Sequence, residues 1–281
     1  MKKVKALIPT GLGFNCEYES QKAFDLAGAD TDIVDIRDLI LGNVDLFDYH
    51  VLMIIGGFSY GDDLGSGKAI ANLLRFKKIN GKRFIDLIKE FVLKKKRVVF
   101  GVCNGFQVLI KLGILPGFDK NYEEQNCTLT LNNSGRYEDR WVKLKFNNKS
   151  NCIAVKGIDY IEVPVRHGEG KLITENDQVL ERIIENNHFF SQYAHPETNA
   201  PTDKYPFNPN GAVNAIAGLC DETGRIFGMM PHPEANLMFE NHPQWTRIKR
   251  KLKEKNKPVP KYGQGLKIFK NIVEYCEKNC L

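Results

Sequence analysis

Nowhere in the 281 residues does an apolar run approach the roughly 20 that a membrane-spanning helix needs. The N-terminal MKKVKALIPTGLG begins with lysines, but Pro9 and Gly11 hold its apolar stretch to a few residues, short of the roughly 7–15 of a signal-peptide core. Both absences point to a cytoplasmic chain with no membrane partner. The seven cysteines are scattered and odd in number, and no two are spaced C-x-x-C. That excludes a disulfide framework and a zinc-finger pattern, so no metal is expected. No G-x-x-x-x-G-K-[ST] phosphate loop occurs, and internal repeats and low-complexity linkers are missing as well. Excess charge is also scarce. Forty basic and 34 acidic residues leave +6, and residues 247–257 (RIKRKLKEKNK), with seven bases and one acid, account for all of it. The remainder is neutral, which excludes a broad basic field for nucleic acid.

What is present is an ordinary globular composition, 42% hydrophobic and 26% charged. The first half alternates strand and helix patterns. Residues 4–9 (VKALIP), 31–36 (TDIVDI), 49–55 (YHVLMII) and 97–102 (RVVFGV) read as strands. Between them, 17–28 reads as a helix stopped at Gly28. Phe84, Leu87, Ile88, Phe91 and Val92 keep the spacing of an amphipathic helix, and 104–113 forms another, ended by Gly113 and Pro116. Such alternation predicts a parallel sheet with helices on both faces. The second half is richer in short strands: 129–133, 140–146 and 161–165. A helix is expected over 176–186, and 212–219 with 225–230 flank Asp-Glu-Thr-Gly as a hairpin. A basic segment and a final helix near 264–277 close the chain. The expectation is one domain over 1–281, an α/β sheet with a β-rich insertion and a basic C-terminal extension from about 247.

Chemistry concentrates at three places. Gly101-Val102-Cys103-Asn104-Gly105 lies between a buried strand and a helix, the nucleophile-elbow spacing with cysteine in the serine position. Glycines two residues to either side admit close backbone approach, and the helix N-terminus favours thiolate. Met-Met-Pro-His-Pro-Glu supplies His232 and Glu234 just after an apolar strand. In extended chain, residues i and i+2 face the same side, which aligns an imidazole with a carboxylate. Gly56-Gly57, at the end of a strand, can turn N–H groups toward a developing negative charge, with the N–H of Asn104 as a second donor. Each feature also has a plainer reading: a buried core cysteine, an incidental charged turn, an ordinary glycine turn. Their shared position at the carboxyl ends of strands favours the joint reading as an active site. Cys16, in the first βα loop, lies near that end but nothing marks it as a nucleophile. His167 is read as shaping the insertion, and the remaining cysteines as structural.

GGFSYGD (56–62), GVCNGFQVL (101–109), NNSGRYEDRWV (132–142), HGEG (167–170), NPNGAVNAIAGLCDETGRIFGMMPHPE (208–234) and HPQW (242–245) together resemble the glutaminase subunits of phosphoribosylformylglycinamidine synthase. These are class I glutamine amidotransferases of purine biosynthesis. The resemblance runs from about residue 4 to 250 and implies the flavodoxin-like fold of that class. It implies Cys103, His232 and Glu234 as catalytic residues, with Gly57, Phe58 and Asn104 as oxyanion donors. It implies glutamine contacts at Gln107 and a pocket lined by Asn133, Ser134 and Arg136. The partner implied is a synthetase subunit, with or without a small third subunit, and the basic segment is a candidate part of that contact. No cofactor is expected in this chain; ATP and magnesium belong to the synthetase. Rival readings are an amidotransferase serving a different synthetase, a cysteine hydrolase on the same scaffold, and a non-catalytic binding protein.

Overall fold

In the computed structural model, which describes residues 3–281, the chain opens as three βα units. Strand β1 (Lys5–Thr10) leads to helix α1 (Glu17–Ala27), β2 (Asp30–Asp35) to α2 (Ile36–Leu41), and β3 (Val51–Ile54) to α3 (Lys68–Phe76). A small hairpin, β4 (Lys78–Ile79) and β5 (Lys82–Arg83), precedes α4 (Phe84–Lys89). The apolar stripe predicted from Phe84 onward does bury Phe91 and Val92, but over Glu90–Lys94 the helix widens into a π turn. Then come β6 (Val98–Val102) and α5 (Asn104–Lys111).

The second half supplies β7 (Cys127–Thr130), β8 (Glu138–Phe146), β9 (Tyr160–His167), β10 (Lys171–Thr174), α6 (Asp177–Glu185) and β11 (Phe189–Ala194). It ends with β12 (Ile216–Cys220), β13 (Ile226–Met229), α7 (Trp245–Glu254) and α8 (Leu266–Asn279). Nine strands form one sheet in the order β2-β1-β3-β6-β13-β12-β11-β8-β9. The strands from β2 to β13 run parallel, and from β13 to β9 each neighbour is antiparallel. The β-rich segment therefore continues the main sheet instead of standing beside it. A separate ribbon, β7 with β10, lies next to it.

Alternation along β6 shows both faces of the sheet being used. Phe100 meets Phe269 of α8, which in turn packs edge-on to Phe24 of α1. The next residue, Gly101, faces Leu109 of α5. Helices α1 and α8 thus cover one face while α5, packed with α3, covers the other. The extension expected from about 247 divides in two. The basic helix α7 buries none of its residues, whereas α8 buries Leu266, Ile268, Phe269, Ile272 and Val273 in the main core.

Laid flat, β6 and β9 would stand five strand spacings apart, about 24 Å. Yet the Cys103 thiol at the end of β6 donates to the carbonyl of Arg166 in β9 at 3.5 Å, and the His232 N–H donates to Pro164 O at 2.8 Å. The antiparallel half curls back over the carboxyl ends of the parallel strands. That curl is the structural basis of the site.

Candidate active site

Cys103 occupies the turn between β6 and α5 with φ 50° and ψ −105°. Such a conformation in a non-glycine residue costs on the order of 1–3 kcal/mol and persists only where its surroundings enforce it. Here the Cys103 N–H donates to Met229 O of β13 at 2.9 Å, and its carbonyl accepts from Gln107 N at 3.0 Å to start the helix. The flanking glycines are required by space. A β-carbon on Gly105 would stand 1.8 Å from Ile54 O. The thiol is 4% exposed.

His232 and Glu234 follow β13. His232 keeps extended backbone (φ −102°, ψ 90°), but Pro233 begins a tight 3-10 turn through Ala235. The expected extended pair is thus a turn pair, and the imidazole Nδ1 meets Glu234 Oε1 at 2.5 Å. Both side chains are buried. Burial alone would lower the His232 pKa. The Glu234 carboxylate and the Cys103 and Cys16 thiols outweigh it and hold the imidazole well above its ordinary range. Nδ1 is committed to Glu234, so Nε2, buried without a hydrogen-bond partner, is the atom free to exchange a proton.

The oxyanion loop follows β3. Phe14 and Gly57 form an antiparallel bridge, with the Asn15 N–H donating to Gly56 O at 3.1 Å and the Phe58 N–H to Gly13 O at 2.8 Å. Phe58 therefore cannot serve as the expected donor, because its N–H is already occupied across the bridge. In such a bridge the central residue's own N–H points away from its partner, so Gly57 remains available. Gly57 sits at φ 143°, where a β-carbon would also strike Gly13 O at 2.5 Å. Asn104, at the first turn of α5, carries an N–H that the helix itself leaves unpaired.

The expected glutamine contacts are arranged differently. Gln107 is 2% exposed; its Nε2 donates to Glu169 O at 2.7 Å and its Oε1 accepts from Asn104 Nδ2 at 2.9 Å. Its amide ties α5 to the HGEG loop. Asn133, Ser134 and Arg136 lie exposed on the loop before β8. Asn133 packs against Gly211, and Ser134 Oγ accepts the Arg136 N–H at 3.3 Å.

Three further residues border the site, two of them from the NNSGRYEDRWV segment. Tyr137, from that same loop, stacks at 6.2 Å from Phe58, and its pKa is raised by burial and by the charge of Cys103. Asn132 is buried and clasps the HGEG loop, donating to His167 O at 2.8 Å and accepting the Gly170 N–H at 3.0 Å. Cys16 approaches His232. A β-carbon on Gly56 would stand 2.9 Å from His232 Cε1, 3.1 Å from Cys16 Sγ and 3.6 Å from Cys103 Cβ. His167 is 2% exposed and held neutral by burial, its pKa lowered to about 3, with the charge of His232 adding to the effect.

A strained cysteine at a strand–helix elbow and an imidazole held by a buried carboxylate, at the carboxyl ends of an open α/β sheet, define a thiol amidotransferase. The CobB/CobQ-like glutamine amidotransferase domain matches residues 3–276. A Methanococcus maripaludis (strain C7) protein called phosphoribosylformylglycinamidine synthase subunit PurQ is 44% identical over 275 residues, 98% of each chain. A Dehalococcoides mccartyi protein of the same name is 42% identical, covering 99% of this chain and all of its own. Among solved structures, a chain of PurLQS from Thermotoga maritima superposes with a TM-score of 0.66 at 24% identity, covering 98% of this chain and 99% of its own, a likeness of fold. The chain belongs to the PurQ family of phosphoribosylformylglycinamidine synthase subunits.

Proposed function

We propose that this chain is the glutaminase subunit of phosphoribosylformylglycinamidine synthase. Cys103 attacks the side-chain amide of glutamine as thiolate, its proton held by His232. The N–H groups of Gly57 and Asn104 face the oxygen of the tetrahedral intermediate. His232 Nε2 returns the proton to the departing nitrogen, releasing ammonia and leaving a glutamyl thioester. Water, deprotonated by His232, attacks the thioester carbonyl, giving glutamate and the thiolate. Glu234 fixes the imidazole and stabilises its charged form throughout. Ammonia passes to a synthetase subunit, where ATP and magnesium drive the conversion of formylglycinamide ribonucleotide to formylglycinamidine ribonucleotide.

The observation that carries this reading is the 2.5 Å His232–Glu234 contact beside a strained, buried Cys103, in a chain of the PurQ family. The test mixes the chain with the synthetase, ATP, formylglycinamide ribonucleotide and glutamine. Formation of formylglycinamidine ribonucleotide and glutamate in equal amounts is expected. Glutamine left intact while peptide or ester substrates are cleaved would favour the hydrolase reading instead.

A further inference from the structure

The side chains of a polar stripe on α5 have no part in the proposed cycle. Asn104, Gln107 and Lys111 are spaced i, i+3 and i+7, so they share one face of the helix. That face meets two loops, 57–67 after β3 and HGEG at 167–170. The Lys111 ammonium donates to Ser66 O and stands 3.6 Å from Glu169 Oε2, both side chains being largely buried. The Ser66 N–H donates to both Glu169 carboxylate oxygens at 3.2 Å, and Ser66 Oγ donates to Asp62 Oδ2 at 2.8 Å. Asp62 Oδ1 accepts from Asn104 Nδ2 at 3.3 Å, and Asn104 Oδ1 accepts the Ser59 N–H at 3.3 Å. A continuous chain of polar contacts thus runs from Lys111, at the far end of α5, to Asn104 beside the nucleophile.

The loop needs such a hold. Tyr60 and Asp62 lie in the left-handed region, at φ 54° and 57°, which non-glycine residues keep only where their surroundings enforce it. The Phe14–Gly57 bridge holds the first part of the loop, and the contacts of Asp62 and Ser66 hold the second. Two carboxylates and one ammonium meet here, and the charge of Lys68 in α3 is also felt at Lys111. Burial pushes the Asp62 carboxyl up, and the charge of Glu169 adds to that, while Lys111 opposes it.

We infer that Lys111, Glu169 and Asp62 are positioning residues of the glutaminase, an ionic strut that holds the oxyanion loop against the first turn of α5 and so keeps the N–H groups of Gly57 and Asn104 in register. The inference rests on the proposed glutaminase cycle. Lys111 touches no reacting atom; it acts through Ser66, Asp62 and Asn104. Without its charge, the Asp62 and Glu169 carboxylates would face each other across Ser66 with nothing between them. Two such charges repel until one takes up a proton, which happens above the usual carboxylate range. Loss of Lys111 should therefore open the loop at high pH and leave it nearly closed at low pH.

The test compares Lys111→Met with the unaltered chain at pH 6 and pH 8.5 by two readings. Hydrogen exchange of the Ser59 and Ser66 amides in the full chain needs no turnover. Relative to the unaltered chain at the same pH, their protection should fall at least about tenfold at pH 8.5 and far less at pH 6, since one proton shifts such an equilibrium by up to tenfold per pH unit. Glutaminase rates with the synthetase present, taken as the ratio of variant to unaltered chain, should follow the same trend. A loss of roughly 10²-fold is expected at pH 8.5, the order of one misplaced oxyanion donor, and most of it should vanish at pH 6. The values of kcat and kcat/KM should fall together, because oxyanion donors act in the transition state. Adding Glu169→Gln to Lys111→Met removes the repulsion while the amide oxygen still accepts the Ser66 N–H, so the rate at pH 8.5 should largely return. A loss independent of pH, no loss at all, or a double variant no faster than the single would overturn the strut. An unaltered chain that hydrolyses no glutamine would fail the glutaminase reading instead, and the exchange reading alone would then judge the strut. Should Lys111→Met not fold even at pH 6, the double variant decides: a folded chain keeping most of the rate at both pH values supports the strut, and an unfolded or inactive one removes it.

Discussion

Each member of the Cys103–His232–Glu234 trio is held by a different local device. Cys103 is held in its strained conformation by the bonds of its N–H to Met229 O and of its carbonyl to the Gln107 N–H, His232 by its N–H bond to Pro164 O, and Glu234 by the turn that Pro233 begins. Their roles differ accordingly. In the proposed cycle His232 moves protons, so His232→Ala should lower thioester formation by about 10²–10⁴-fold. Glu234→Gln should hurt less, because the amide still orients the ring while losing its charge. Single-turnover rates with the two variants check this; equal losses would contradict the division of roles. His167 gives a separate prediction. Its pKa is lowered to about 3 in the folded chain, against about 6.5 unfolded. The unfolded state therefore binds more protons between these values, and stability falls as pH drops through that window. At pH 5 this residue alone should cost about 2 kcal/mol relative to pH 7.5. Urea unfolding of His167→Gln should show an acid limb flatter by that amount; identical limbs would reject the assignment. The trio was legible because elbow and His-Pro-Glu spacings are local. For Gln107 the structure adds partners that spacing could not show. One turn beyond the nucleophile places it on the same face of α5, and its buried amide is bonded to Asn104 and to Glu169 O. For Cys16 sequence position implied nearness to the site but not its contacts, because its neighbours come from β3, β6 and the turn after β13.

At the scale of elements, the elbow depends on how closely α5 approaches β3. Gly105→Ala would place a β-carbon 1.8 Å from Ile54 O, a backbone atom with no room to yield. Overpacking typically costs about 1–3 kcal/mol and more where backbone is struck. We expect a loss above about 3 kcal/mol by denaturant unfolding, together with a displaced thiol; a stable, fully active Gly105→Ala would refute the packing account. The strands of the first half were readable, since a continuous apolar run bounded by glycines determines a strand almost alone, whereas α2 and α3 were not foreseen. The strands of the second half were mostly seen, but their joining to the main sheet was not. Antiparallel pairing from β13 to β9 is decided by edges meeting in space. Neither the curl that brings Arg166 O to Cys103 nor β11, with its bulged pairing to β12, leaves a periodic trace. The π turn over Glu90–Lys94 escaped for a similar reason, because its apolar spacing is that of an ordinary helix.

For the whole molecule, the described residues contain no helix long and apolar enough to cross a membrane. The net positive charge is carried by residues 247–257, α7 and the lysines just after it, and α7 buries none of its residues, while α8 closes the core against α1. The partner and pathway were legible only through resemblance, since nothing in composition or periodicity specifies which synthetase receives the ammonia. The central claim is that Cys103 exists to release ammonia for chemistry carried out elsewhere. The measurement that tests it most directly assays Cys103→Ala in complex with the synthetase, ATP and formylglycinamide ribonucleotide, supplied with either glutamine or ammonium. The account predicts no product from glutamine and an undiminished rate from ammonium. Product formed from glutamine by the Cys103→Ala complex would contradict it.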